Sequence, residues 1–158
     1  MHDPRVLLGL SSLRIRIAGE QDIAVLLTMM EPFNALEQIP WDARAKERAL
    51  RTLLKDRSLG VVGLLVTTEG PVGHFVVTWG YDLEWDGRDA FLTELFLEPR
   101  ARGQGLGGQA MKLIEAVARE HGARALHLMV LDENLVARRL YASHGYVSPP
   151  RTFLSKQL

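Results

Sequence analysis

The stretch Glu98-Pro99-Arg100-Ala101-Arg102-Gly103-Gln104-Gly105-Leu106-Gly107-Gly108 lies between a strand-like run and a helix-like one. A glycine-rich turn that opens a helix leaves several main-chain N–H groups unpaired and aimed at one point, where the helix dipole also favours negative charge. Missing Cβ atoms let phosphate oxygens approach the main chain, and Arg102 can add a charge-assisted hydrogen bond. The plain alternative is a tight, solvated strand-to-helix connection. No Gly-Lys-Ser or Gly-Lys-Thr closes the turn, so it is not a P-loop. Gly103, Gly105 and Gly108 do fit G-x-G-x-x-G, but a dinucleotide fingerprint follows the first strand of a parallel sheet, with an acidic residue about 20 positions on. Here Glu120 and His121 occupy that place and end a helix, so a nicotinamide dehydrogenase is the weaker reading.

Other residues have types suited to chemistry. Asn134 and Tyr141 stand two helical turns apart and share one face. Glu94 is a carboxylate inside the run Ala90 to Leu97, where alternation sets Thr93, Leu95 and Leu97 on one face and Glu94 with Phe96 on the other. The acidic cluster Asp82, Glu84, Asp86 and Asp89, preceded by Tyr81, either attracts a cationic amine or is an ordinary charged turn. His74, His121, His127 and His144 show no metal spacing; His127 reads as a strand histidine and His121 as a solvated one at a helix end. With no cysteine and no G-x-S-x-G elbow, a covalent acyl-enzyme is disfavoured.

The elements that must position these groups follow from periodicity. Leu13 to Ile17 alternates apolar and basic residues as an edge or near-edge strand. Asp22 can cap a helix through Leu26 and Met30 that stops near Pro32, and Asp42 a second one through Leu50 and Leu54. Gly60 to Val66 and Val72 to Trp79 read as a hairpin around Glu69-Gly70-Pro71, and Ala90 to Leu97 as a third strand entered through Gly87. A helix through Ala110, Leu113, Ile114 and Val117, a strand over Ala125 to Leu131 and a short helix from Asn134 to Gly145 come next. Tyr146-Val147 and Thr152-Phe153-Leu154 are expected to supply closing strands. The whole, residues 1–158, reads as one α/β domain with a mixed sheet.

Composition agrees. The chain has 158 residues, 47% of them hydrophobic, enough to bury a core without disulfides or metal. Its 19 basic and 19 acidic residues cancel, which argues against a nucleic-acid binder or a polybasic membrane-surface protein and for small-molecule partners. No apolar run approaches the length of a membrane span, and the reading is of a cytoplasmic protein.

Two motifs then agree with each other. Arg102, Gly105 and Gly107 meet the pattern Arg/Gln-x-x-Gly-x-Gly/Ala, and Asn134, Tyr141 and Gly145-Tyr146 meet a second pattern of Asn, then Tyr, then Gly with an aromatic residue. On these the chain resembles the GNAT superfamily of acyl-CoA-dependent N-acetyltransferases, in element order from about Leu13 to Phe153. The stretch from Tyr81 to Trp85 and on through Glu94 to Leu97 is similar to the branch that acetylates polyamines and thialysine.

The resemblance implies a mixed, mostly antiparallel sheet flanked by helices, in which the strand ending at Leu95 and Leu97 splays from Ala125 to Leu131. It implies acetyl-CoA held by Arg102, Gly103, Gln104, Gly105, Leu106, Gly107 and Gly108, by the main chain of Leu95, Phe96 and Leu97, and by Asn134 and Tyr141. It also implies direct attack by an amine in a ternary complex, with Tyr141 beside the sulfur, and a homodimer. The base is left open. The family often has an acid where Thr93 stands, so either a bulge turns Glu94 inward, or Thr93 holds a water that relays the proton to Asp82 or Glu84, or Glu94 is structural. The missing acid also keeps a catalytically silent acyl-CoA-binding module in view.

Overall fold

The computed structural model describes residues 6–9 and 12–158. Six strands lie across one sheet in chain order: β1 (Val6–Gly9), β2 (Arg14–Ile17), β3 (Gly60–Thr67), β4 (Gly70–Asp82), β5 (Gly87–Leu97) and β6 (Leu126–Leu128). Every pair is antiparallel except β5 with β6. A parallel pair needs a long crossover, and helix α3 (Leu106–Glu120) supplies it. Helices α1 (Ile23–Leu36) and α2 (Ala43–Lys55) join β2 to β3, and α4 (Leu135–Ser143) follows β6. The sheet is therefore mixed, mostly antiparallel and flanked by helices, as the resemblance implied.

Strand alternation builds a core on each face. Leu13, Ile15, Val61, Leu65, Phe75, Val77 and Leu92 pack with Ala110, Met111, Ile114 and Val117 of α3. Val62, Leu64, Val76 and Phe96 pack with Leu26, Met29, Met30 and Phe33 of α1 and Leu50 of α2. Leu92 and Phe96 are four residues apart and would share a face in a regular strand. They face opposite helices because the register slips: Val77 pairs with Leu92 but Val76 with Glu94, which leaves Thr93 as the extra residue of a β-bulge.

Five sequence expectations need correction. Helix α1 does not stop near Pro32 but runs through it to Leu36. Proline removes the N–H that Thr28 C=O would accept, at a cost of about 3 kcal/mol, but burying Met29, Met30 and Phe33 at roughly 1.5–3 kcal/mol each outweighs it. Asp22 does not cap that helix; its carboxylate accepts a two-pronged contact from Arg16 at 2.8 and 3.0 Å and the Gly19 N–H at 2.9 Å. Asp42 does cap α2, accepting the N–H groups of Arg44 and Ala45. The β4–β5 connection is shorter than expected, because Tyr81 and Asp82 end β4 and Asp89 lies in β5; the left-handed residue of the turn is Asp86, not Gly87. The strand expected over Ala125 to Leu131 is confined to Leu126–Leu128. Finally, Tyr146-Val147 and Thr152-Phe153-Leu154 form no strand, and Val147 and Leu154 are each 86% exposed.

Candidate active site

At the carboxyl end of β5 a short turn, Pro99–Ala101, leads into the glycine cluster. Gly103 and Gly105 both adopt the left-handed conformation, at φ of 73° and 75°, and Gly105 stands at the N-cap of α3. Only glycine enters that region without strain. Between Gly103 and Gly108 no main-chain N–H finds an acceptor among the described residues; the ladder of α3 begins with the Gln109 N–H on Gly105 C=O. A set of unpaired donors at a helix N-terminus fits the chemistry of a diphosphate. Helix α4 closes on this turn, and at Gly107 a Cβ would sit 3.2 Å from Leu140, so a small residue is what lets the two helices approach.

The sequence-predicted residues of this region take distinct places. Arg102 folds back along β5, its Nε donating to Leu97 C=O at 2.9 Å and its guanidinium 5.5 Å from the centre of the Phe96 ring. Gln104 donates to Arg100 C=O. Asn134 accepts the Ala137 N–H and so caps α4, leaving its amide NH2 as the group with spare capacity. A cavity of about 720 Å³ opens beside the cradle, between Phe96, Glu98 and Arg102 on one side and Thr28, Pro32 and Leu36 of α1 on the other.

Strands β5 and β6 pair over only three residues, the last being Leu92 with Leu128. The bulge at Thr93 begins where that pairing ends, so among the described residues the β5 edge from Thr93 to Leu97 has no strand partner on the β6 side. This is the splayed pair. Tyr141 on α4 packs against the core at the same end, with its ring 6.0 Å from that of Tyr146. Its phenol is pushed up to about 12, first by burial and then by the nearby carboxylate of Glu37. Glu37 itself is raised by burial and by Glu133, and the neighbouring Gln38, left-handed at φ 58°, donates to Glu133 at 3.3 Å. The end of α1 thus reaches the loop before α4.

The bulge sends Glu94 to the face covered by α1 and α2. There its Oε2 lies 2.8 Å from His74 Nε2 and its Oε1 3.7 Å from Lys46 Nζ. His74 is fully buried, between the rings of Phe33 and Phe96. Leu95 and Leu97 pack on the opposite, α3 face, as alternation predicts. Thr93 is exposed, and its hydroxyl donates to Val76 C=O at 3.3 Å.

Tyr81, Asp82 and Glu84 are not brought to this place. Asp82 pairs with Gly87 and Glu94 with Val76, six positions apart along β4, or about 20 Å. A water on Thr93 cannot bridge that span, so the relay to Asp82 or Glu84 does not exist within one chain. Tyr81 is 76% exposed, Asp82 accepts the Glu84 N–H, and Glu84 is held by Arg151 at 2.6 Å. Asp82 and Glu84 line a separate cavity of about 610 Å³ with Trp85, Arg119, His127 and Tyr146.

His121 and His127 each have a neighbour within the fold. His121 is not simply solvated: its ring stacks on Trp79 with centroids 4.7 Å apart, and its Nδ1 lies 2.8 Å from Val117 C=O. His127 lies 3.3 Å from Asp89. No group of three metal-binding side chains occurs among the described residues. Sequence reasoning missed three neighbours of the site: His74, Lys46 and Glu37. A histidine amid Val72, Phe75 and Val76 was the one visible signal, since a hairpin sets it diagonal to Glu94.

Comparison with known proteins agrees with this geometry. The acetyltransferase (GNAT) family model matches residues 24–146. The thialysine N-epsilon-acetyltransferase of Bos taurus is 30% identical over 143 residues, spanning 83% of this chain and 82% of that protein. The integron cassette protein HFX_CASS3, from the mobile metagenome of a salt marsh, superposes with a TM-score of 0.80 at 28% identity, covering 91% of this chain and 90% of that one. A predicted acetyltransferase from Clostridium acetobutylicum, described with acetyl-CoA, shares the fold at a TM-score of 0.76 and 16% identity, over 91% and 96% of the two chains. No helix among the described residues is long and apolar enough to cross a membrane. By sequence and by fold alike, the chain belongs to the acetyltransferase (GNAT) family, as an acyl-CoA-dependent N-acetyltransferase.

Proposed function

We propose that this protein moves an acetyl group from acetyl-CoA to a primary amine of a small molecule, a polyamine, amino acid or similar metabolite, by direct attack in a ternary complex. The observation that carries the reading is the coincidence at one end of β5 of a free-amide cradle, a parted strand pair and a half-buried carboxylate. Acetyl-CoA supplies the activated thioester. The cradle from Arg102 to Gly108 takes its diphosphate, the open edge of Leu95, Phe96 and Leu97 takes the pantetheine arm, and the Asn134 amide lies near that arm. A main-chain N–H near Leu95 polarises the carbonyl as negative charge develops on its oxygen.

Glu94 is the proposed proton acceptor. An alkylamine near pKa 10.4 is protonated at neutral pH and must lose a proton before it can attack. Lys46 already presents an alkylammonium to Glu94 Oε1 at 3.7 Å, which supports the idea that this oxygen suits a substrate of the same kind. Thr93 is proposed to act through the bulge that turns Glu94 to this face. The bovine relative named for thialysine supports an amine that resembles a lysine side chain.

Tyr141 is the proposed donor to the departing sulfur. A phenol at about 12 stays protonated throughout the working range, and a thiolate whose conjugate thiol has a pKa near 8.5 is too weak a base to take its proton, so the hydroxyl stabilises the thiolate by hydrogen bonding alone. Tyr141→Phe is expected to lower kcat by about ten- to a hundredfold, the effect of one hydrogen bond to a charged group, with little change in CoA affinity. The wild type is expected to show no fall in rate from phenol ionisation below about pH 11. Unchanged turnover in the variant would remove Tyr141 from the mechanism.

The reading is tested by mixing purified protein with acetyl-CoA and a panel of amines while following free thiol. Amine-dependent thiol release is the expected result. Binding of acetyl-CoA without it across the panel would favour the silent binding module instead.

A further inference from the structure

We propose that His74 is a positioning residue for proton acceptance: it holds one oxygen of Glu94 through an Nε2–H donor and leaves the other oxygen for the amine. This rests on the reading of Glu94 as the proton acceptor.

The argument starts from the two ring nitrogens. His74 Nε2 lies 2.8 Å from Glu94 Oε2, while Nδ1 is buried and has no hydrogen-bond partner among the described residues. A protonated Nδ1 would be an unsatisfied donor, and on a doubly protonated ring a charged one, between the Phe33 and Phe96 rings; a bare lone pair there is the less costly state. The proton therefore sits on Nε2 and points at Glu94.

Two consequences follow. The ring has no second acceptor to pass a proton to, so it is a dead end: a proton taken by Glu94 leaves through Oε1, on the Lys46 side, and not through His74. Among the described residues, the charged and titratable groups paired with Glu94 are His74 from β4 and Lys46 from α2. Of the two, only His74 is within hydrogen-bonding distance.

A purely packing role is a poor account of this residue. Leucine would fill the space between two phenyl rings without burying an unpaired nitrogen.

Four variants and one spectrum test the proposal. His74→Phe keeps an aromatic ring and removes the donor; His74→Gln returns an N–H. The first is expected to lower kcat by about tenfold or more, with CoA affinity unchanged. The glutamine variant is expected to recover part of that loss. In a Glu94→Gln background His74→Phe is expected to add no further loss. Unchanged kcat in His74→Phe, or an equal loss in the Glu94→Gln background, would overturn the proposal. If Glu94→Gln itself turns over normally while binding CoA, the fault lies in the reading of Glu94 as the base, and the inference falls with it.

Nitrogen-15 spectra of the wild-type ring give the same answer without relying on a folded variant. A protonated Nε2 and a bare Nδ1 are expected. A protonated Nδ1 would contradict the assignment.

Discussion

Glu94→Gln lowers kcat by about 100-fold or more and leaves CoA affinity nearly unchanged, since a positioned general base contributes roughly 10²–10⁴. The substitution keeps the side-chain volume, and the new amide oxygen can still accept from His74 Nε2, so folding is not the expected casualty. What is lost is basicity at Oε1, the oxygen that Lys46 approaches at 3.7 Å. The loss should fall on kcat and kcat/KM together, the pattern of an interaction made in the transition state. Turnover within about threefold of the wild type would reduce Glu94 to a structural partner of His74 and Lys46.

Gly105→Asp is expected to weaken CoA binding by about 1,000-fold, through the loss of two or more hydrogen bonds to a charged group. Gly105 is left-handed at the N-cap of α3, and a Cβ there meets nothing within 4 Å. Aspartate is among the residues that tolerate this backbone region and favour a helix N-terminus, so the fold should survive. Its carboxylate would take the free N–H groups and repel the diphosphate. Gly105→Ala separates the two effects: it adds strain of about 1–2 kcal/mol without charge and should cost CoA affinity far less. Titration of CoA by calorimetry checks the pair, and equal affinities in the two variants would contradict the cradle.

The cradle was legible because its chemistry is local. Alternating glycines, an arginine and the helix they open lie within eleven residues, and backbone conformation follows from residue type there. The apolar positions of the core beside α3 were legible for the same reason, from Leu13, Ile15 and Ile17 through Ile114 and Val117. The register slip at Thr93 was not, because a bulge is set by how β4 and β5 pair and leaves no mark on β5 alone. Glu94 therefore could be placed on a face but not given its neighbours. His74 and Lys46 come from other elements and meet it only through long-range packing.

Pro32 misled for a related reason: a local helix breaker is overridden when the turns on both sides bury apolar residues. The expected closing strands failed the opposite way. Thr152-Phe153-Leu154 has strand-forming residues, but propensity forms no strand without a partner edge, and Pro149-Pro150 remove two donors just before it. The acidic residues Asp82 and Glu84 share a hairpin with Glu94, yet the length of β4 carries them to its far end.

The most direct test of the account is a crystal structure of this protein with CoA bound. The diphosphate is expected within about 3 Å of main-chain N–H groups between Gly103 and Gly108, with the sulfur between the parted ends of β5 and β6 and facing the Tyr141 hydroxyl. A diphosphate bound elsewhere, with those N–H groups unengaged and the gap between the strands empty, would contradict it.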